Sequence, residues 1–556
     1  MIASAESAWR EQRAVKYCLA GLLFAHGVLW FGFVGRAGIG NPYYSAAIGT
    51  ASESFRFASI GSLDPAGFVT IDKPPVGLWI PAVAVRILGR SAWVLILSHA
   101  AIVWFCCLSA AHTIKGQTRR VVAFGLALLS PGLALLARTT LVDASMILFG
   151  TVAMLVLLSE RGERRSWVAV AGVLTALALL SKPGAILMAP ALLWIVLRRD
   201  SGFVFRRAVI FSGSVVTVLA AWIVVAGLAQ GDTWFGGSGD NLAWQQLFPS
   251  STVDRLVDAD LTGLDAQAGI ASAGEPGPLR LITGRMGRQA GALVPLALLS
   301  GFLILRRGRS LAAEAWLVWL VCHAVAYSLI PGLAHAYYAA SVVPAVVCLV
   351  ASGGDLVVRS RYGWIAGLAG VAVSAGLLSG TVGISVDWIV SASVLVFAAG
   401  AALQFAQNKD ALVVSLLLIP VVVWGSLSVE TLLATREASF DPAAGEVVEL
   451  RLPNLELVAN ELSAPDSTWS LATSNETLAT RLIAEHQQSV MLVGGFLGRD
   501  RILTGDDLSS LVSTGEVGQV LAPRRLVSPA DEILTEFGSA CLTSPLGTYQ
   551  VWTCNE

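Results

Sequence analysis

Long runs of uncharged, apolar residues, among them AFGLALLSPGLALLA and ALVVSLLLIPVVVWG, recur through most of this chain and leave it few ways to fold. Where lipid is the solvent, stretches of about 17 to 25 such residues satisfy their own backbone hydrogen bonds as helices. A membrane barrel would alternate apolar and polar residues instead. Of the 556 residues, 55% are hydrophobic and 13% charged, where a soluble domain carries roughly 25% charged residues. The expected class is an all-α polytopic membrane protein. The formal net charge of -1 gives no support to nucleic-acid binding. Seven cysteines without CxxC spacing or paired histidines argue against a structural zinc site. Cys18, Cys106, Cys107, Cys322 and Cys348 lie in apolar runs and read as packing residues.

Hydropathy and turn signals place about thirteen spans. They fall at roughly 16–35, 92–113, 120–136, 143–159, 166–181, 184–198, 207–229, 290–305, 312–330, 336–352, 363–382, 386–405 and 411–430. The first reads as a retained signal-anchor helix, because its apolar part is too long for a signal peptide and no small-residue cleavage site follows. Short cytoplasmic loops collect Lys and Arg. With Arg10, Arg13 and Lys16 inside, the connections KGQTRR, RGERRS, RRDSGFVFRR, RRGRS, RSRYG and QNKD all fall on that same side. This alternation implies an odd number of spans in the cell membrane, a cytoplasmic N-terminus and an external C-terminus.

The opposite face receives a first external loop, 36–91, the short turns RTTLVD, SKPG and PGLAHAYY, and a long Gly-, Asp- and aromatic-rich loop, 230–289. Loops of that length and composition carry function more often than not. The expected division is therefore a transmembrane catalytic domain over 1–434 and a small extracytoplasmic α/β domain over 435–556. In the second segment strand-like runs (STWSLATS, SVMLVGGF, EVGQVLAP) alternate with helix-like ones (NETLATRLIAEH, GDDLSSLVSTG). Cys541 and Cys554 bracket a terminal hairpin, SPLGTYQVW, and form either a disulfide or two free thiols.

Charge is concentrated in GSLDPAGFVTIDKPP, residues 61–75. Such charges in an ordinary loop are only solvated, but Pro74 and Pro75 fix the backbone directly after Lys73. The amphipathic run VGLWIPAVAVRILG then lies along the membrane interface rather than across it. A lysine held there, with Asp64 and Asp72 nearby, suits a site that binds a phosphate and handles a proton. Other external turns carry single polar groups with plain structural readings. Arg138 and Asp143 lie about one turn apart and suit a capping salt bridge, and Lys182 suits snorkelling. His335, Tyr337 and Tyr338, like Asn41, Tyr43 and Tyr44, suit an interfacial aromatic belt. Taken together they form a ring of polar and aromatic residues at one depth.

The segments NPYYSAAIGTASESF, GSLDPAGFVTIDKPPVGLWI, RTTLVDASM, GGSGDN, GEPGPLRL and GLAHAYYAASVVPA resemble, in order, a bacterial family of GT-C glycosyltransferases. That family is related to the aminoarabinose transferase of lipid A and to the protein O-mannosyltransferases. SVMLVGGFLGRD is similar to the C-terminal domain of its mannosyltransferase-like members. The resemblance implies a multi-spanning enzyme that moves a sugar from a polyprenyl-phosphate donor, on the external face, to a lipid, glycan or protein acceptor. It implies donor-phosphate contacts from Lys73 and from the HAYY motif (His335, Tyr338), with Arg138 added on charge and position. Asp72 and Asp143 fall at acidic positions of the family, and Asn41, Tyr43, Tyr44 and Asp240 line the substrate side. No cofactor is required by this chemistry; a loop Asp or Glu can also bind a divalent metal.

One departure changes the assignment of the base. Many relatives begin the first loop with an Asp-Glu pair whose aspartate serves as base, and the matching positions here are Gly40 and Asn41. Asp64 is then the first candidate, followed by Asp72 and Asp143. Attack opposite a phosphate leaving group predicts inversion at the anomeric carbon. Two rival readings are a transporter or flippase, which calls for ionisable residues at midspan, and a non-catalytic glycan-binding relative.

Overall fold

The computed structural model describes residues 20–199 except 22, 23, 25 and 26; 204–248; 273–379 except 309, 331–333 and 361; 409–434; 442–444; 455–461; 467–523; 529–538; 542–546; and 549–553. Nearly every apolar run within them is helical. The first loop folds into α1 (Pro42–Ala51), α2 (Phe55–Ile60) and α3 (Val76–Leu88). There follow α4 (Ala92–His112), α5 (Gln117–Leu128), α6 (Pro131–Leu136), α7 (Asp143–Leu158), α8 (Arg165–Ser181), α9 (Ala189–Arg198) and α10 (Val204–Ala229). After the long loop come α11 (Gly284–Ala290), α12 (Val294–Arg307), α13 (Leu311–Leu329), α14 (Val343–Arg359), α15 (Gly363–Ser379) and α16 (Lys409–Leu433).

Among the described residues, five helical stretches are long and apolar enough to cross a membrane: Ala92–His112, Val204–Ala229, Gly284–Arg307, Leu311–Leu329 and Ala336–Arg359. Shorter apolar helices such as α7 and α8 pack between them. The protein is a mostly helical membrane protein. The expected span 386–405 lies outside the described residues, as do Cys541 and Cys554.

Several expected spans are interrupted or open irregularly, 290–305 and 336–352 with the 3-10 segments Gly291–Leu293 and Ala336–Val342. That at 120–136 breaks at Pro131, which has no N–H to continue the ladder, and Ser130 restarts it by accepting the Leu133 N–H at 3.3 Å. The span at 184–198 opens as a 3-10 segment, Pro183–Met188, before α9. Helix α3 leaves Trp79, Ile80, Val83, Ile87 and Leu88 exposed. These recur at helical spacing on one apolar stripe, which suits a helix lying in the interface.

The C-terminal segment forms a five-stranded mixed sheet, β1 (Leu471–Thr473), β2 (Val490–Leu492), β3 (Val520–Pro523), β4 (Leu542–Leu546) and β5 (Tyr549–Thr553), in the order β2-β1-β3-β5-β4. Strand β1 runs parallel to β2 and β3, while β5 is antiparallel to β3 and β4. Helices α17 (Leu455–Glu461), α18 (Glu476–His486), α19 (Gly505–Ser513) and α20 (Pro529–Gly538) complete it. This α/β unit is fastened to the first loop: Trp469 Nε1 donates to Asp64 Oδ1 at 3.2 Å and Arg90 Nη2 donates to the Ile483 carbonyl at 2.5 Å.

The long loop is fastened there too. Trp234 N–H donates to the Phe68 carbonyl at 2.9 Å, and Thr70 N–H donates to the Trp234 carbonyl at 2.8 Å. Gly236 then comes so close that a Cβ would lie 2.3 Å from the Thr70 carbonyl oxygen. Gly236→Ala is expected to push the two loops apart and destabilise the fold by about 1–3 kcal/mol, the usual cost of overpacking. A lower thermal-unfolding midpoint in detergent checks this; an unchanged midpoint would show that the loop contact is dispensable.

Candidate active site

The first loop turns on Asp64. Its Oδ1 accepts the N–H groups of Ala66 at 3.0 Å and Gly67 at 2.8 Å, and its Oδ2 accepts those of Phe68 at 2.9 Å and Val69 at 3.3 Å. With Trp469 this carboxylate receives five N–H donors, and it is 1% exposed. Burial pushes its pKa above the ordinary carboxylate range against the pull of Trp469 and the backbone N–H groups.

Nine residues on, Lys73 Nζ meets both oxygens of Asp72 at 2.7 Å. The lysine also faces aromatic rings, 5.5 Å from the centroid of Tyr44 and 5.4 Å from that of Phe496. Tyr43 Oη accepts the Asp72 N–H at 3.0 Å, and its ring packs 5.4 Å from Phe496. Burial and the charge of Asp72 push the Tyr43 phenol up, so it stays neutral.

A second lysine–carboxylate pair was not expected from the sequence. Asp143 is the first residue of α7 and Lys182 follows the last residue of α8. A helix N-terminus favours the anion and a C-terminus the cation. Pro183 holds Lys182 extended, at φ -163° and ψ 129°, and its Nζ reaches the Asp143 oxygens at 2.8 and 2.9 Å. The HAYY motif walls this pair: Lys182 Nζ lies 3.9 Å from the centroid of Tyr338 and 5.0 Å from that of Tyr337, while His335 stacks on Tyr337 at 5.0 Å. Lys182 is thus ion-paired rather than snorkelling.

Arg138 does not form the expected salt bridge with Asp143, which is held by Lys182. Fully buried, it donates from Nη1 to the Trp30 carbonyl at 2.8 Å, from Nη2 to that of Leu29 at 2.6 Å and from Nε to that of Leu432 at 3.2 Å. It sits in the turn before α7 and ties the Leu29–Trp30 backbone to the end of α16.

Positions 40 and 41 have structural work of their own. Gly40 has φ +73°, and a Cβ there would lie 2.8 Å from the Thr140 nitrogen. Asn41 caps α1 by accepting the Tyr44 N–H at 3.2 Å, and its own N–H donates to Thr140 Oγ1 at 3.0 Å. Asp240, on the long loop, is exposed and accepts from Gln245 Nε2 at 3.0 Å.

Two residues of this region had not been singled out from the sequence. Phe496 and Asp500 both lie on the loop after β2, in GGFLGRD. Asp500 accepts the Gly237 N–H with its two oxygens at 3.1 and 3.0 Å. Its advance signals were the glycine-rich run that precedes it and the likeness of SVMLVGGFLGRD to the family's C-terminal domain. Among the described residues, no group of three His, Cys, Asp or Glu side chains is placed to hold a metal ion.

Comparison with known proteins gives three findings. Residues 72–226 match the family described as dolichyl-phosphate-mannose-protein mannosyltransferase, and residues 459–535 match the C-terminal domain described as "Putative mannosyltransferase YkcB-like". Two Bacillus subtilis proteins are similar over most of their length. One, "Putative mannosyltransferase YkcB", is 23% identical over 87% of this chain and 85% of its own. The other, "Putative mannosyltransferase YycA", is 24% identical over 86% of this chain and 87% of its own. The crystal structure of ArnT from Cupriavidus metallidurans bound to undecaprenyl phosphate superposes with a TM-score of 0.58 at 14% identity, covering 96% of this chain and 97% of that one. The resemblance read from the sequence is borne out: the fold is that of the GT-C glycosyltransferases.

Proposed function

From this kinship we propose that the protein is an integral membrane glycosyltransferase that moves a hexose from a polyprenyl-phosphate donor to an acceptor at the extracytoplasmic face, with inversion. The observation that carries the reading is the Asp72–Lys73 pair, a buried cation held by both oxygens of a carboxylate just before α3. As the bond from the anomeric carbon to the phosphate oxygen breaks, negative charge grows on the leaving phosphate. A preorganised ammonium group in a water-poor site stabilises that charge more than bulk water does. Lys182, beside His335 and Tyr338, supplies a second cation for the phosphate.

Helix direction supports the extracytoplasmic side. Helix α7 begins at Asp143 and ends before the basic connection RGERRS; α8 begins at that connection and ends beside Lys182. The site therefore lies at the helix ends opposite the basic loops, which the positive-inside rule puts in the cytoplasm. The site's charged pairs, gathered at helix ends rather than at midspan, favour transfer over transport.

An apolar cavity of about 740 Å³ runs between α2, α3, α8 and α10, lined by Phe55, Trp79, Val83, Trp222 and Val225. It shares α3 with the lysine, since α3 starts directly after Lys73-Pro74-Pro75. We assign it to the polyprenyl chain. Mannose is the sugar to try first, because both family matches and both relatives are described as mannosyltransferases.

The test uses full-length protein in lipid nanodiscs with labelled polyprenyl-phosphate mannose, glucose and N-acetylglucosamine, and a membrane and wall fraction as acceptor. Transfer from one donor, with the product's anomeric configuration opposite to the donor's, is expected. No transfer from any of them would overturn the reading, and retention would overturn the single-displacement mechanism.

A further inference from the structure

Of the carboxylates on the elements that meet around Lys73, which include Glu476 of α18, whose charge helps raise the Tyr43 phenol, three are engaged as follows. Asp72 faces Lys73, Asp143 faces Lys182, and Asp64 is filled by five N–H donors. A group that must take a proton during the reaction needs a lone pair that no cation already holds. Asp500 has such a lone pair. Its partners are the Gly237 N–H and a backbone hydrogen bond from Phe496, and among the described residues it forms no ion pair. At 8% exposure it is more accessible than Asp64 and Asp72, at 1%, and Asp143, at 2%.

Its position is set by three loops that meet. Gly237, which donates to Asp500, lies against Asp72: a Cβ on Gly237 would sit 3.4 Å from the Asp72 Cβ. Phe496, on the Asp500 loop, has its ring 5.4 Å from Lys73 Nζ. The Asp500 carboxyl group therefore stands across Asp72 from the proposed phosphate site.

We propose that Asp500 is the carboxylate that takes the acceptor's proton, so that the C-terminal α/β unit completes the active site. This rests on the glycosyl-transfer reading above. In the step, the acceptor oxygen forms a bond to the anomeric carbon and its proton passes to an Asp500 oxygen. The bond from that carbon to the phosphate oxygen breaks, and the electron pair leaves with the polyprenyl phosphate beside Lys73. Burial, then the charge of Asp72, push Asp500 up to about 7 against the N–H groups of Gly237 and Phe496. A base with that affinity is matched to proton transfer near neutrality. The charged groups around it are the Asp72–Lys73 pair, its chain neighbours Arg499 and Arg501, Asp240 farther along the Gly237 loop, Glu476 of α18, which packs against the Phe496 segment, and Asp531 of α20, which accepts from Ser474.

The test compares wild type with Asp500→Asn in nanodiscs, using labelled polyprenyl-phosphate mannose for transfer and undecaprenyl phosphate alone for binding. Asparagine keeps an oxygen for the Gly237 N–H, so the fold and lipid binding are expected to persist while transfer falls at least ~100-fold, the usual loss of a general base. Asp500→Ser serves if the first variant no longer binds undecaprenyl phosphate; added formate is then expected to restore part of the rate. Wild-type transfer is expected to rise with pH through a midpoint of about 7. Transfer by Asp500→Asn at the wild-type rate, or an Asp500→Ser rate that formate leaves unmoved, would overturn the assignment and leave the glycosyltransferase reading standing. No transfer by wild type from any polyprenyl-phosphate sugar would overturn both.

Discussion

Replacing Lys73 by methionine is expected to slow sugar transfer by on the order of 10²–10³-fold, the range found when one preorganised charge-stabilising donor is removed from an active site. The single variant also removes the partner of a buried carboxylate. Asp72 is 1% exposed, and leaving a buried charge uncompensated costs about 3–5 kcal/mol. A loss of activity in Lys73→Met alone would therefore mix catalysis with unfolding. The double variant Asp72→Asn with Lys73→Met separates them, because both charges of the pair disappear together. We expect it to unfold near the wild-type temperature and to remain as slow as the single variant in the labelled-donor assay. If the double variant transferred sugar at the wild-type rate, the lysine would have no part in stabilising the leaving phosphate.

The second large effect concerns stability. Asp64 stood first among the candidate bases, yet its carboxylate is surrounded by N–H donors from Ala66, Gly67, Phe68, Val69 and Trp469. Asparagine there keeps one acceptor oxygen and turns an amide N–H₂ toward donors that need an acceptor. Hydrogen bonds to charged groups contribute about 1.5–3 kcal/mol each, and an unsatisfied buried group costs a similar amount. We expect Asp64→Asn to lose roughly 3 kcal/mol or more of stability on that basis. The loosened turn would also release Trp469 and with it the α/β unit. Thermal unfolding and transfer rate measured on one preparation decide the matter. A lowered midpoint, with activity falling only as the folded fraction falls, fits the structural role. An unchanged midpoint with transfer abolished would return the base role to Asp64.

The helical membrane class was legible because it follows from solvent: an apolar run in lipid has to close its own hydrogen bonds, whatever its neighbours do. The break at Pro131 was legible in principle, from the missing N–H, but was merged into the span 120–136. In the site, Lys73 and Asp72 are adjacent in sequence and their pairing needed little more than the rigid Pro-Pro that follows. Other partnerships were not local. Lys182 and Asp143 are 39 residues apart, Gly237 and Asp500 are 263 apart, and Trp469 and Asp64 are 405 apart.

That separation is why Arg138 was matched with the wrong partner. Spacing along a helix allowed the Arg138–Asp143 pair, but the chain turns between them, so the arginine faces three carbonyls while the aspartate faces the end of α8. By itself the sequence determined the solvent, the helical class and the loops where charge gathers, since hydropathy and backbone chemistry are properties of each segment alone. Only the tertiary structure decided which carboxylate is neutralised by a lysine, which is filled by backbone N–H groups and which keeps a lone pair for a proton. Those states depend on groups brought within about 3 Å by packing, and hydrogen bonds are made or lost over that distance.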